Sequence, residues 1–160
     1  MKVDTINLNP AMVELLSNPY QQIPMDANIF MPPDRSRIMG KGPRFDFSTY
    51  TKYFLNPLFR TFPYLSIHEA VYDELAVISE IKRFVDDKIS NNLLILLRDR
   101  GLNEEEQIVR STIEEKIAGW TEYSPKLDNK DDRGEVKTLS HVAVKSLLYF
   151  CSHEIGRAHV

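Results

Sequence analysis

Residues 64–75 read YLSIHEAVYDEL. The first four residues, 64–67, predict a β-strand, and the pattern over residues 68–75 is helical, so a strand runs directly into a helix. A strand that is followed at once by a helix is the unit from which α/β proteins are built. We therefore expect further strands and helices of the same kind on either side of this stretch.

Two more apolar stretches predict strands. Residues 22–30, QIPMDANIF, place Asp26 near the expected carboxyl end of a strand, and Pro32 and Pro33 end the stretch. Residues 147–151, LLYFC, form an apolar run that is too short for a helix and typical of a buried parallel strand. The alternation of strands and helices predicts an α/β fold with a mainly parallel sheet.

Apolar residues at helical spacing predict five further helices. The first begins at Pro10 after Asn9, the second covers residues 47–59, and the third is expected to run from Ile78 to Leu97. The fourth begins after Asn103, and the fifth is opened by residues 132–135. The buried stripe of the fourth helix is expected at Val109, Ile113, Ile117 and Trp120.

The composition predicts one compact domain. The chain has 160 residues, of which 42% are hydrophobic and 27% charged. A net charge of -3 and a pI of 5.8 exclude a protein that coats nucleic acid by charge alone. There is no apolar run of about 18 residues and no signal-peptide pattern, and Cys151 is the single cysteine. We therefore expect a cytoplasmic protein without a membrane segment.

The last six residues, 155–160, continue no pattern in the chain. Their sequence, IGRAHV, is encoded by the codons ATC-GGA-AGA-GCA-CAC-GTC of a widely used sequencing adapter. We therefore expect residues 155–160 to be non-native and a single domain to span residues 1–154, with an amino-terminal extension and a short helix in residues 1–21. Only the first base of the codon for Glu154 would then be native, so Asp is an admissible identity there.

Four acids are candidates for chemistry. Asp26 and Glu154 lie at expected strand ends, whereas Glu74 and Glu135 lie on expected helices. The carboxyl ends of parallel strands meet at one edge of the sheet, where ligands bind, so acids that are distant in sequence can meet there. Their oxygens suit Mg²⁺ or Mn²⁺, and such an ion can activate water and stabilise the leaving oxygen of a phosphodiester.

Four short motifs resemble those of the PIN-domain nucleases and occur in the same order. Residues 25–30 resemble the opening Asp-x-Asn-hydrophobic motif, and residues 68–75 resemble the second motif, with Glu74 as the matching acid. Residues 132–135 resemble the Gly-Glu form of the third motif. Residues 151–154 fall where the family has a strand that ends in Ser or Thr, one further residue and Asp. The resemblance spans residues 23–154.

The resemblance implies a Rossmann-like three-layer α/β/α sandwich and a divalent-metal-dependent endoribonuclease. The metal, Mg²⁺ or Mn²⁺, would be held by Asp26, Glu74, Glu135 and Glu154, with support from Asn28, Ser152 and Asp132. For an enzyme of the toxin type, the expected partners are RNA, an antitoxin protein and a second copy of the chain. Glu at position 154 departs from the family, and the family's final helix-and-strand unit is missing, so a fragment is expected.

Several candidates also have a structural interpretation. Asp132 and Glu135 fit a capping box, in which an N-cap side chain and an acid three residues later bond to each other's backbone. Glu74 could be an exposed helix acid, and Glu69 is its rival for the metal position. Arg35, Arg37, Lys41 and Arg44 form a basic loop that either contacts the backbone of a nucleic acid or is merely solvated.

The histidines and the cysteine are interpreted as structural. His68, His141 and His153 lack the spacing of zinc ligands and are expected to be ordinary polar residues. Cys151 lies in an apolar stretch without an evident base and is expected to pack in the core.

Two other functions stay open beside the nuclease. The first is a non-catalytic PIN-like module that binds RNA or protein. The second is an unrelated α/β enzyme that uses acids and Mg²⁺, such as a phosphatase, although the absence of an Asp-x-Asp pair around Asp26 counts against it.

Overall fold

The computed structural model describes residues 10–32 and 46–152. Within these residues, six helices and three strands follow one another. They are helix α1 (Pro10–Ser17), strand β1 (Ile23–Pro24), helix α2 (Phe47–Tyr50, Thr51–Leu55 and Asn56–Thr61), strand β2 (Leu65–His68), helix α3 (Glu69–Leu75), helix α4 (Ser79–Ser90), strand β3 (Ile95–Leu97), helix α5 (Glu104–Ala118) and helix α6 (Arg133–Val144).

Helix α2 changes its hydrogen-bond pattern along its length. Its middle piece, Thr51–Leu55, is π-helical, and the backbone stays in the right-handed helical region at both joins, with φ of -59° at Thr51 and -63° at Asn56. The carboxylate of Asp46 caps the first turn by accepting from the amide of Thr49. The helix expected over residues 47–59 is thus confirmed and continues to Thr61.

The three strands form a parallel sheet in the order β1-β2-β3. Ile23 pairs with Leu65, and His68 pairs with Leu97 at the other side of the central strand. All four residues of β2 are buried, as expected for the central strand of a covered parallel sheet. The expectation of an α/β fold with a parallel sheet is confirmed.

The core packs around the central strand. Leu65 and Ile67 of β2 are joined there by residues of β1, the turn that follows it and helices α2 to α4. Within this core cluster the most deeply buried apolar side chains are Met25, Phe30, Leu55, Leu65, Ile67, Val71, Leu75 and Val85. This packing holds the ends of all three strands in fixed positions, so side chains at the carboxyl edge have a rigid base.

A fourth stretch of chain reaches β1 from the side opposite β2. Cys151 forms a parallel bridge with Met25, in which the amide of Cys151 donates to the carbonyl of Pro24 across 2.9 Å. The amide of Asp26 donates to the carbonyl of Cys151, also across 2.9 Å. The next bond towards the amino end of β1 would need an amide at residue 24, which proline lacks. The strand expected over residues 147–151 is therefore reduced to this bridge.

The prediction of one helix from Ile78 to Leu97 is wrong. Helix α4 ends at Ser90, and Asn92 has a left-handed backbone with φ of 56°. Residues 95–97 then form strand β3, paired with β2. Ile89, Leu93 and Leu96 have the spacing of a helix face, but the hydrogen bonds that β2 offers its neighbour outweigh that local pattern.

The start of α5 is confirmed, whereas its buried stripe is confirmed only in part, because Ile113 and Ile117 are half-buried and Val109 and Trp120 are exposed. Asn103 and Glu106 form the expected capping box. However, Val109 is 50% exposed and Trp120 is 84% exposed. The buried positions of the helix are Glu114 and Ala118, because α5 packs on α6 through a face that carries ion-paired side chains.

No helix in residues 10–32 and 46–152 combines the length and the apolar character that crossing a lipid bilayer requires. The three-layer arrangement of the sandwich stays a prediction, because the described sheet is small.

Candidate metal centre

The carboxyl edge of the sheet collects polar side chains from every strand. Asp26 follows β1, His68 ends β2, and Asp99 comes two residues after β3. Ser152 follows the bridging residue Cys151. In a parallel sheet these positions share one edge, which is where ligands bind in α/β proteins.

Asp26 is a buried carboxylate that accepts from three donors. Its side chain is 8% exposed and caps the short turn of residues 27–30 by accepting from the amide of Ala27 across 2.8 Å. The side-chain amide of Asn28 donates to Oδ2 across 2.9 Å, and the hydroxyl of Ser152 donates to the same oxygen across 3.2 Å. Through these contacts Asn28 and Ser152 orient the carboxylate, and their supporting role at a metal site stays a prediction.

Glu74 approaches Asp26 from helix α3, which packs on the turn after β1. Burial raises the pKa of Glu74, a hydrogen bond from the amide of Gly134 opposes this, and the negative charge of Asp26 raises the pKa further. Arg133 contributes a weaker lowering effect. The charge of Asp26 thus reaches Glu74 and disfavours the ionised form of its side chain.

Gly134 allows Glu74 to reach the start of α6. Its amide donates to Oε1 of Glu74 across 2.9 Å. A Cβ at this position would lie 2.5 Å from that oxygen, which is closer than non-bonded atoms approach. The clash of a Cβ with Glu74 therefore explains why the Gly-Glu pair of the third motif begins with glycine.

The capping box expected at Asp132 and Glu135 is wrong. Asp132 has a left-handed backbone with φ of 52°, whereas an N-cap needs an extended one, and its side chain does not cap α6. Its carboxylate instead accepts from the amide of Glu122 across 3.1 Å. Glu135 lies in the first turn of α6 and is exposed.

The carboxylates of Asp26, Glu74 and Glu135 do not form a three-ligand cluster. Within residues 10–32 and 46–152, one set of three ligating side chains has donor atoms within 4.8 Å of one another, and it consists of His68, Asp99 and His141. Of the expected metal ligands in the described residues, Asp26 and Glu74 interact through their charges. Glu154 and the basic residues Arg35, Arg37, Lys41 and Arg44 lie outside the described residues.

A cleft of about 220 Å³ opens beside Glu74. It is lined by Asp73, Glu74, Val77, Lys130 and Arg133. A larger, shallow hollow of about 580 Å³ lies along the outer face of α5 between polar side chains such as Gln107 and Glu115. The smaller cleft is the better candidate for substrate, because it combines a carboxylate of raised pKa with two cationic side chains.

The cluster of His68, Asp99 and His141 was missed by the interpretation of the sequence. Nε2 of His68 and Nδ1 of His141 each lie 3.1 Å from Oδ1 of Asp99. His68 is fully buried and His141 is 3% exposed. Sequence spacing could not reveal the cluster, because its members come from β2, the turn after β3 and α6, and β3 had been assigned to a helix.

Two more charged residues hold Asp99, one through its carboxylate and one through its backbone. Nε of Arg110 lies 2.9 Å from Oδ2, and the carboxylate of Glu69 accepts from the backbone amide of Asp99 across 3.0 Å. Burial by itself would raise the pKa of Asp99, but the hydrogen bonds from His141 and His68 and the charge of Arg110 hold it well below its ordinary value. Glu69, the rival of Glu74, thus belongs to this cluster.

Cys151 contributes its backbone to the site and its side chain to the core. Burial raises the pKa of its thiol, and the charge of Asp26 adds to this effect. The expectation that Cys151 packs in the core agrees with these surroundings, because such a thiol is a poor nucleophile.

No family model, no curated protein and no solved structure matches this chain.

Proposed function

We propose that this chain is a PIN-type endoribonuclease that hydrolyses phosphodiester bonds with the help of Mg²⁺ or Mn²⁺. The proposal includes the Rossmann-like sandwich as its fold. It rests on the ordered motifs of the sequence and on the side chains at the carboxyl edge of the sheet.

The observation that carries the proposal is the pair formed by Asp26 and Glu74. Both are partly or fully buried, and the charge of one raises the pKa of the other. Repulsion between two desolvated carboxylates in this position destabilises the folded chain, and a divalent cation would remove that cost.

The residues at this edge suit a hard cation. Asp26 and Glu74 would supply oxygen ligands, and Glu135 and Glu154 would join them by the family resemblance. Asn28 and Ser152 would hold the carboxylate of Asp26 in one orientation through the bonds that they already donate. A bound ion would lower the pKa of a water and stabilise the charge that develops on the phosphate.

The cleft beside Glu74 would receive the RNA backbone. Lys130 and Arg133 line it next to the carboxylate. Arg133 is held by ion pairs with Asp128 across 3.0 Å and Asp73 across 3.3 Å, so its guanidinium has a fixed position. Contacts of this kind bind phosphate without reading sequence.

A non-catalytic module that binds RNA or protein is the second candidate. It is favoured by the exposure of Glu135 and by the lack of a three-carboxylate cluster in the described part of the chain. Such a module would bind through the same cleft but would not depend on the metal.

Cleavage of a mixed RNA by the full chain, with Mn²⁺ or Mg²⁺ and with chelator, tests the proposal. We expect metal-dependent cleavage that falls by about 100-fold or more in Asp26→Asn and in Glu74→Gln. Asp87→Asn, which changes an exposed acid on α4, is the matched control and should cleave like the wild type. Equal cleavage by wild type and Asp26→Asn would refute the site, and metal-independent RNA binding without cleavage would favour the module.

A further inference from the structure

We propose that His68, Asp99 and His141 form a second cation site, which binds a divalent ion of the zinc class and is separate from the acids of the proposed nuclease site. The three side chains come from the end of β2, the turn after β3 and helix α6. Two imidazoles and one carboxylate suit Zn²⁺, Co²⁺ or Fe²⁺ better than Mg²⁺.

The distances within the cluster resemble the edges of a coordination shell. Zinc binds nitrogen and oxygen at about 2.0–2.2 Å, which places neighbouring ligand atoms about 3 Å apart. The two histidine nitrogens each lie 3.1 Å from Oδ1 of Asp99. The third edge, between the imidazoles, is no longer than 4.8 Å.

The charges around the cluster can balance a cation. Arg110 occupies Oδ2 of Asp99, which leaves the ion on the Oδ1 side, and the charge of Arg110 is compensated by Glu114 across 2.8 Å. Glu69 accepts from the backbone of Asp99, and Glu106, whose charge also reaches His141, is paired with Lys145 across 2.6 Å. The positive guanidinium is therefore offset, and the surroundings carry surplus negative charge.

The position of the proton on His68 makes the site selective among metal ions. Nδ1 of His68 accepts from the amide of Ala70 across 3.1 Å, so the proton of the neutral ring lies on Nε2 and points at Asp99. Ligation through Nε2 requires the other tautomer and gives up the bond from Ala70. Only an ion that binds imidazole strongly offsets that loss, which favours zinc over magnesium.

Access to the cluster is from the side of Asp99. The side chain of Asp99 is 21% exposed, whereas those of His68 and His141 are 0% and 4% exposed. An ion that enters there would join three elements of the fold. Binding to the folded chain alone would raise its unfolding temperature.

Histidine ¹H–¹⁵N spectra of the full chain, recorded without metal and with saturating Zn²⁺, test the proposal directly. We expect the ¹⁵N signals of Nε2 of His68 and Nδ1 of His141 to move to the range of metal-bound nitrogens, and one equivalent of Co²⁺ to give the visible absorption of a nitrogen-and-oxygen site. Unchanged ring signals of these two histidines at saturating Zn²⁺ would overturn the proposal.

Variants separate this site from the others. His141→Gln should weaken Zn²⁺ binding by about 100-fold or more, whereas the double variant His153→Gln, His159→Gln should bind like the wild type. Asp26→Asn should also retain Zn²⁺ binding, so loss of RNA cleavage and loss of zinc binding are distinguishable failures. Wild-type affinity in a folded His141→Gln chain would contradict the assignment.

Discussion

The backbone amide of Gly134 and the carboxylate of Glu74, 60 residues apart in the chain, are joined by a hydrogen bond of 2.9 Å that leaves no room for a side chain at position 134. A Cβ there would lie 2.5 Å from Oε1 and 3.0 Å from Cδ of Glu74. The contact fixes the end of α3 to the start of α6. Glycine at this position therefore serves the carboxylate rather than the helix.

Gly134→Ala should impair the site without unfolding the chain. The flexible carboxylate of Glu74 would move away from the new methyl group, while alanine itself favours the helix by about 1 kcal/mol over glycine. We expect Mn²⁺ affinity to fall by about 10-fold or more and the unfolding temperature to change little. Gly101→Ala is the control, because a Cβ at Gly101 meets nothing within 4 Å. Unaltered metal affinity in Gly134→Ala would argue against a role of Glu74 in the site.

Glu74 should make the chain less stable as the pH rises. Its pKa is raised in the folded state by burial, so the folded chain holds this proton more tightly than the unfolded chain. The resulting stabilisation is fully present below the ordinary value of 4.5 and is lost as the pH rises through the raised pKa. Urea unfolding from about pH 4 to about pH 8 should show this decline in the wild type and a flatter profile in Glu74→Gln. Parallel pH profiles of the wild type and Glu74→Gln would contradict this prediction.

Removal of the Asp99 carboxylate should lower the stability of the folded chain. Asp99→Asn withdraws the negative charge that two buried histidines and Arg110 share, and we expect the free energy of unfolding to fall by about 2–4 kcal/mol. Asp87→Asn, on the exposed face of α4, should change it by less than about 0.5 kcal/mol.

The pH dependence of this loss has a defined direction. The pKa of Asp99 is lowered in the folded state, so its contribution is present above the ordinary value of 3.8 and disappears as the pH falls through the folded pKa. The difference between wild type and Asp99→Asn should therefore shrink in acid. A variant that is as stable as the wild type at neutral pH would show that the network carries no net stabilisation.

Trp120 should behave as a solvent-exposed side chain. It is the only tryptophan of the chain and is 84% exposed just after α5. Iodide should quench its fluorescence almost as efficiently as that of a free tryptophan derivative, and Trp120→Ala should change stability by less than about 0.5 kcal/mol. Strong protection from iodide would instead restore the buried stripe that the sequence suggested for α5.

The helices and the central strand were predictable because local signals agreed with their environment. Asn103 and Glu106 form the capping box that predicts the start of α5. In residues 64–75, the predicted change from strand to helix lies within one residue of the observed boundary. Asp26 was placed correctly at a strand end, since an acid in an apolar stretch must find donors there.

The errors came from interactions between distant residues. The apolar spacing of Ile89, Leu93 and Leu96 mimics a helix, and only pairing with β2 makes residues 95–97 a strand. Because residues 95–97 were predicted as helix, Asp99 was not expected at the sheet edge, and its contacts with His68 and His141 could not be predicted. The exposure of Val109 likewise depends on α5 turning an ion-paired face towards α6.

The donors around Asp26 come from opposite ends of the described chain. Asn28 is two residues away, whereas Ser152 is separated from Asp26 by 126 positions. During synthesis on the ribosome, Asn28 is therefore present from the outset, but Ser152 emerges only after all six helices have been translated. Closing so long a loop is slow compared with forming local contacts. The carboxylate can therefore gain Ser152 as a donor only after the whole described chain has been made.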